Sequence, residues 1–376
     1  MKIVSRITPL ALAIAASSAM AQGDDTARLQ QQIDALQQQV NSMSDERIQF
    51  NGFFSTGYAR ASNDAGFAGI TEDTEIYDLS LAALQASFDI TDDTQAVMQL
   101  VSRGEEDWDT SVEWAYLSYR PTNALQLRAG KMRQPLYMYS DFLEVGYAQP
   151  WARAPQSFYG QTLSSYMGAD ASYTFNLDGS SITAQAFFGN SEDSEDGTTV
   201  DLRNSGGVSV AWTDYVWTLR AVVSQSELNL SNPRLPPVEG EDGTYLGLGF
   251  SYDDGSWQII SEAVRTEIDG YYPDNDAAYL SIGHRFGAFT PYVVAGWTES
   301  QDNDERPGML GAFLNKERKE YSVGVRWDVT PGVALKADWT HATGFEEGPN
   351  GLDPQVVLAE GIDSTNVYTF KIDAAF

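Results

Sequence analysis

The chain contains no cysteine. A protein that crosses an oxidising compartment without thiols cannot mispair, and its fold must be held by something other than disulfides. Histidine is almost as scarce: His284 and His341 are the only two. Without Cys and without clustered His, the usual zinc centres are excluded. Basic residues are few, 23 Lys plus Arg against 53 Asp plus Glu, for a formal net charge of −30. Such a chain lacks the basic footprint that nucleic acid requires. Long apolar runs are missing too. The one short run, Ile7 to Ala16, follows Lys2 and Arg6 and precedes the small-x-small site Ala19-Met20-Ala21. That order predicts a removable secretory signal over 1–21, because a spanning helix needs roughly 20 apolar residues. A soluble periplasmic protein, a secreted protein and a β-barrel, whose strands carry only an alternating signal, remain open.

What is present favours the barrel. Aromatics make up 12% of the residues and glycine 32 of 376, and a closed ring of hydrogen-bonded strands needs no staples. Residues 22–47 stand apart. Thr26, Leu29, Ile33, Leu36, Val40 and Met43 recur at spacings of three and four, with glutamine runs beside them. This is a coiled-coil seam of about three heptads, too short to be stable alone, and it predicts a stalk without fixing the number of strands in it. A solvated linker helix is the alternative.

From Ile48 the period becomes two. Tyr368, Phe370, Ile372, Ala374 and Phe376 form one face of the last segment, and Val367, Thr369, Lys371, Asp373 and Ala375 form the other. Tyr321, Val323, Val325 and Trp327 repeat the pattern, as do Trp217, Leu219, Ala221 and Val223, then Met167, Ala169, Ala171, Tyr173 and Phe175. Apolar-out, polar-in alternation over about ten residues is the mark of a tilted membrane strand. Seven short connections carry hairpin chemistry: 91–94, 121–124, 177–180, 213–215, 253–256, 287–288 and 330–332. Alternating with eight longer loops, they require sixteen antiparallel strands with both ends of the barrel on the periplasmic side. The fold class is therefore all-β, a sixteen-stranded transmembrane barrel over 48–376 behind a short helical segment. A soluble β-sandwich would not need so many aromatics on one face. Trp108, Trp114, Trp257, Trp297, Trp327 and Trp339 lie near strand ends, as an interfacial girdle requires.

The third long loop, about 134–165, is where chemistry is expected. It holds Asp141 and Glu144 among Tyr137, Tyr139, Phe142, Tyr147 and Trp151, with a lone Arg153 and three stiffening prolines, Pro135, Pro150 and Pro155. A long connection with no element of its own is usually functional, and one this stiff can fold inward onto the barrel wall. With EWAYLSY, LRAGKMRQPLYMYSD and VGYAQPW between Glu113 and Trp151, the sixteen strands and the terminal Phe376, the mature chain resembles the general bacterial porin superfamily. Its stalk is similar to those of trimeric substrate-selective porins. The resemblance implies an outer-membrane homotrimer with the stalk in the periplasm, and Phe376 as the signal read by the barrel-assembly machinery. It also implies a third loop that narrows the channel, with acidic residues, here Asp141 and Glu144, facing basic wall residues.

Strand parity supplies the wall. Arg128, Arg220, Arg285, Arg326, Lys336 and Lys371 have polar or small residues two places away, and a lipid-facing Arg or Lys near the midplane costs roughly 2–4 kcal/mol. They are expected in the lumen, mostly in its periplasmic half. Lys131 and Arg133 follow the outward parity but sit at a strand–loop junction, so they join the expected constriction as rim residues. The loops are acidic: Glu105, Glu106, Asp107 and Asp109; Glu192, Asp193, Glu195, Asp196 and Asp201 against Arg203; Glu346, Glu347, Asp353, Glu360 and Asp363. They could bridge through divalent cations to lipopolysaccharide, but none shows calcium-ligand spacing, and no metal or cofactor is expected. Catalysis has no carrier either. Outer-membrane phospholipases place His and Ser two apart, whereas Arg285-Phe286 and Ala342-Thr343 follow the histidines. The expected function is a passive pore for small hydrophilic solutes and ions. A weak anion preference is predicted because the basic throat acts where water is sparse, while exposed loop charges are screened beyond roughly 8–10 Å. The alternatives are a channel specific for small carboxylates, phosphate or sugars, using the third-loop aromatics, and a non-conducting structural barrel.

Overall fold

The structure, a computed structural model, describes residues 47–73, 76–160, 165–195, 197–233, 235–306, 308–345 and 348–376. The signal and, apart from Arg47, the stalk expected from the sequence lie outside the described residues. Sixteen strands make up the barrel. The first eight are β1 (Ile48–Ala61), β2 (Leu81–Thr91), β3 (Thr94–Arg103), β4 (Thr110–Tyr119), β5 (Leu125–Arg133), β6 (Ser165–Leu177), β7 (Ser180–Glu195) and β8 (Thr198–Thr213). The others are β9 (Trp217–Ser231), β10 (Val238–Asp253), β11 (Trp257–Ile268), β12 (Asn275–His284), β13 (Phe289–Ser300), β14 (Glu317–Thr330), β15 (Val333–Thr343) and β16 (Ser364–Ala375). Each strand pairs with its neighbours in sequence, and β16 pairs antiparallel with β1 to close the ring. Closure leaves no edge with unpaired backbone groups, the condition for crossing a bilayer with strands.

The two faces are sorted by the predicted parity. Tyr321, Val323, Tyr368 and Phe370 are 51 to 60% exposed, while Glu320, Thr365, Thr369 and Asp373 on the same strands are at most 1% exposed. Apolar side chains therefore point outward and polar ones are packed inside, the inverse of a soluble protein. At the seam, Phe376 donates to and accepts from Gly52 at 2.9 Å each way, completing the ladder with the terminal residue.

All seven short turns fall where hairpin chemistry placed them. Asp214 Oδ1 accepts from the amides of Val216 and Trp217 at 3.0 and 2.7 Å, and Asp254 Oδ1 does the same for Ser256 and Trp257 at 2.8 and 2.7 Å. These Asx turns offer the backbone the bonds that the ending ladder withdraws. Gly332 combines φ of 86° with an approach in which a Cβ would lie 2.6 Å from the Ala375 carbonyl, so only glycine fits there without strain.

Two departures from simple alternation matter. A bulge at Glu113 interrupts the pairing of β3 and β4, where Gln99 opposes Trp114 and Leu100 opposes Val112. Trp114 is thereby turned to the lumen side beside Tyr116, so it is not part of the outer girdle. A second bulge at Asn204 and Ser205, where Arg203 pairs with Glu227 and Gly206 with Gln225, reverses the parity of upper β8. The segment 190–203, expected from the sequence to be an acidic loop, is largely the continued hairpin of β7 and β8.

Candidate functional site: a third loop pinned through the lumen

The connection from β5 to β6 enters the lumen and runs along its wall. It carries three short turns of helix, Ser140–Phe142, Gly146–Ala148 and Gln156–Tyr159. A chain in this position must satisfy its amides and carbonyls without a ladder of its own, and the wall supplies the partners. The cations take the carbonyls. Arg220 donates to the carbonyls of Pro135 and Leu136, Arg326 to those of Tyr147 and Gln149 at 2.8 Å each, and Lys336 to that of Gly146 at 2.6 Å. The carboxylates take the amides. Glu262 accepts from the Met138 amide at 2.7 Å and Glu320 from the Ser157 amide at 2.9 Å. Between them, Trp151 Nε1 donates to Ser281 Oγ at 2.7 Å, and the Tyr292 hydroxyl accepts from the Ala152 amide at 2.9 Å while donating to Asp338.

The loop reaches the periplasmic end. Tyr147 lies under the Arg326 guanidinium at 4.9 Å, and its hydroxyl accepts from the amide of Gly332 in the turn between β14 and β15. At Gly146 the backbone touches the wall so closely that a Cβ would lie 2.0 Å from Asp373 Oδ1. From there the chain climbs back along β12 to β14.

The expected site residues divide sharply. Glu144 is ion-paired with Arg103 and Arg133, and Glu113 completes a four-member cluster through Arg103 at 2.5 Å. Asp141 is half-buried with no hydrogen-bond or ion-pair partner among the described residues. Burial holds its carboxyl above the usual range, against the opposing pull of Arg128 and with a further push from Asp170. Arg128 is bidentate to Asp170 and lies over the Tyr116 ring at 5.5 Å. Lys336 pairs with Asp373 at 2.9 Å, and both side chains are fully buried. Lys371 also faces Asp373, at 3.4 Å. Arg326 pairs with Asp328.

Four expectations need correction. Lys131 opposes Ala115 and the exposed Met167 in the ladder, so its register is that of the outer face, away from the constriction. Arg133 has the same parity, but the pairing of β4 with β5 stops at Ala115 and Lys131, and its guanidinium turns inward to Glu113 and Glu144. Arg285 belongs to the turn after β12, where it pairs with Asp253 at the periplasmic rim. Arg153 donates to the Ala68 carbonyl in the first long loop at 2.6 Å, which makes it a tether between loops. The aromatics are corrected as a group. Tyr137 packs on Phe158, Tyr159 and Tyr245, and Tyr139 on Trp151, which is 1% exposed. They glue the loop to the wall, so their rings are not presented to a passing solute as a solute-specific channel would use them. Phe142, 52% exposed beside Asp141, is the aromatic of this loop that stays open.

Sequence reasoning missed the acids of the wall. Glu113, Asp170, Glu262, Glu320, Asp338 and Asp373 are all buried. Their inward parity was readable; their partners were not, being amides of the distant loop for Glu262 and Glu320 and side chains of other strands for Glu113, Asp170, Asp338 and Asp373. Arg103 was missed because it stands at the upper end of β3, beside the second long loop.

A closed barrel with an apolar exterior and a loop drawn through a polar interior defines an outer-membrane channel. The chain belongs to the Gram-negative porin family, whose model matches residues 9–369. It is accordingly a porin of the outer membrane, a passive channel. Among solved structures it is similar to OmpF of Salmonella typhi in complex with daunomycin, at 12% identity over 88% of this chain and 97% of that one, TM-score 0.61. An anion-selective porin from Comamonas acidovorans matches at 13% identity over 88% and 99%, TM-score 0.58. OmpT of Vibrio cholerae in a trimer form matches at 14% over 88% and 99%, TM-score 0.56. At these identities the likeness is one of fold. No curated protein matches the chain.

Proposed function

We propose that the protein is a size-limited diffusion channel for small hydrophilic solutes and ions, without catalytic activity, whose constriction is the open face of the third loop around Asp141 and Phe142. The observation that supports this reading is the pinning of that loop to the wall by both its carbonyls and its amides, which holds a fixed aperture. Substituting Phe142 by Ala removes an exposed ring and is expected to raise single-channel conductance in KCl by roughly 1.2- to 2-fold. An unchanged conductance would place the narrowest point elsewhere.

Charge preference is weak in this reading. Most cations of the throat are matched by a carboxylate, so a permeating ion meets dipoles rather than a basic ring. Arg220 is the wall cation bound to loop carbonyls with no carboxylate in ion-pair reach among the described residues, and it supports a small bias towards anions. The zero-current potential in a KCl gradient is expected to give a chloride-to-potassium permeability ratio of about 1 to 3; strong potassium preference rejects the reading. Asp141 adds a pH dependence. Its carboxyl takes up a proton at higher pH than exposed carboxylates do, so the ratio rises on acidification before the acidic mouth titrates. Asp141→Asn is expected to show the raised ratio at neutral pH and to lose that first step.

The family and the trimeric form of the Vibrio relative support a homotrimer embedded among outer-membrane lipids and lipopolysaccharide, inserted by the barrel-assembly machinery through Phe376. Substrate specificity built on the third-loop aromatics has little support, since their rings are largely spent on packing.

A further inference from the structure

Above the third loop, on the extracellular side of β8 to β13, lies a chamber of about 460 Å³. That volume is within the range of about 300–1,000 Å³ typical of small-molecule sites. Its floor is the third loop at Tyr137 and Phe158, and one wall is aliphatic: Leu202, Leu228, Leu230 and Ile268. The bulge at Asn204 and Ser205 creates this wall by turning Leu202 inward, against Leu228 and Leu230. Leu228 and Leu230 are buried in this cluster, while Leu202 and Ile268 are half-buried and present its apolar edge to the chamber. An apolar edge costs free energy where it meets water and gains where it meets an apolar solute.

Lys316 is the one Asp, Glu, Lys or Arg lining the chamber among the described residues. It is 7% exposed, and its ammonium has no hydrogen-bond or ion-pair partner among the described residues. The charged neighbours are committed elsewhere. Arg318 donates to the carbonyls of Glu317 and Asn350 at 2.5 Å and to that of Gly348, and Glu320 holds the Ser157 amide of the third loop. Burial and the Arg318 guanidinium push the Lys316 ammonium down to about 7. An unpaired buried cation is costly, and an arriving anion offsets that cost.

We infer that this chamber binds organic monoanions with an apolar body, the carboxylate on Lys316 and the body against the aliphatic wall, before they pass the third loop. The inference deepens the channel reading and rests on it. The test is single-channel recording in KCl, with 4-phenylbutyrate added to both sides and current expressed relative to each protein's own open level. The wild-type channel is expected to show saturable block by 4-phenylbutyrate, at least about tenfold stronger than by butyrate, which lacks the body, or by 4-phenylbutanamide, which lacks the charge. In Lys316→Met the preference for acid over amide is expected to fall below about twofold. Equal block by acid and amide in the wild type overturns the assignment, as does a preference retained in the variant. A protein that conducts KCl but shows no saturable block removes this inference alone. One that conducts nothing removes the channel reading, and this inference with it.

Discussion

Replacing Lys336 by alanine is expected to lower the stability of the barrel by about 3–5 kcal/mol, the cost of leaving one member of a buried ion pair alone. Lys336 and Asp373 are fully buried and 2.9 Å apart on the periplasmic half of the wall. The ammonium also donates to the Gly146 carbonyl, and Ser55 donates to Asp373 at 2.6 Å. One substitution thus strips the carboxylate of its nearer cation and orphans a carbonyl, cutting a tie among β15, β16 and the tip of the third loop. Lys371, 3.4 Å from Asp373 and on its own strand, softens the loss without replacing the bond to the loop. Equilibrium unfolding in urea from lipid vesicles, followed by tryptophan fluorescence, measures the effect. The double substitution Lys336→Met with Asp373→Asn removes both charges and is expected to recover most of it. A loss under about 1 kcal/mol, the range of exposed pairs, would show that the pair is hydrated and the loop tip unanchored.

Glu262→Ala is expected to release the first half of the third loop. Glu262 is the acceptor for three donors at once: the Met138 amide at 2.7 Å, the Tyr279 hydroxyl at 2.9 Å and the Tyr159 hydroxyl. Each buried donor left unmade costs roughly 1–3 kcal/mol. Between the Arg220 anchor at Leu136 and the ion pairs of Glu144, the loop is held by that carboxylate and by ring contacts of Tyr137 with Tyr159 and Tyr139 with Trp151. Detachment is cheaper than keeping three orphans, so the loop is expected to leave the wall while the ladder of β11 and β12 stays intact. Chymotrypsin cleavage between residues 135 and 160 and excess noise in the open channel are the two readouts. Glu262→Gln, which keeps an acceptor oxygen, is expected to be much milder. A folded, quiet and protease-resistant Ala variant would mean that the ring packing holds the loop unaided.

The barrel was legible because its physics is local. A period of two with Trp217, Leu219, Tyr321 or Phe370 on one face needs no partner to be recognised, and Asp254-Gly255 announces a hairpin by itself. The same logic failed where one extra residue changes the phase, at Glu113 and at Asn204 and Ser205, because a bulge leaves no alternation of its own. It failed again for Lys131 and Arg133, whose shared parity ends differently once pairing of β4 and β5 stops between them. The third loop could be located by its length and stiffness. Its path could not, because Arg326 and Tyr147 are brought together by closure of the ring and by contacts that no spacing in the chain encodes. The roles of Tyr137, Tyr139 and Trp151 were misassigned for a related reason. An aromatic side chain in a long loop looks the same in sequence whether its ring is open to solvent or pressed against Tyr279.

The wall grips the third loop through its main chain and through its packed rings, and neither grip uses the side chains of Asp141 and Phe142, which separates two tasks. Because Arg220, Arg326, Lys336, Glu262 and Glu320 all address peptide groups, the route of the loop does not depend on what stands at Asp141 or Phe142. Those two positions can be exchanged like inserts in a fixed mount, altering charge and calibre at the narrowest point while the frame that carries them stays put.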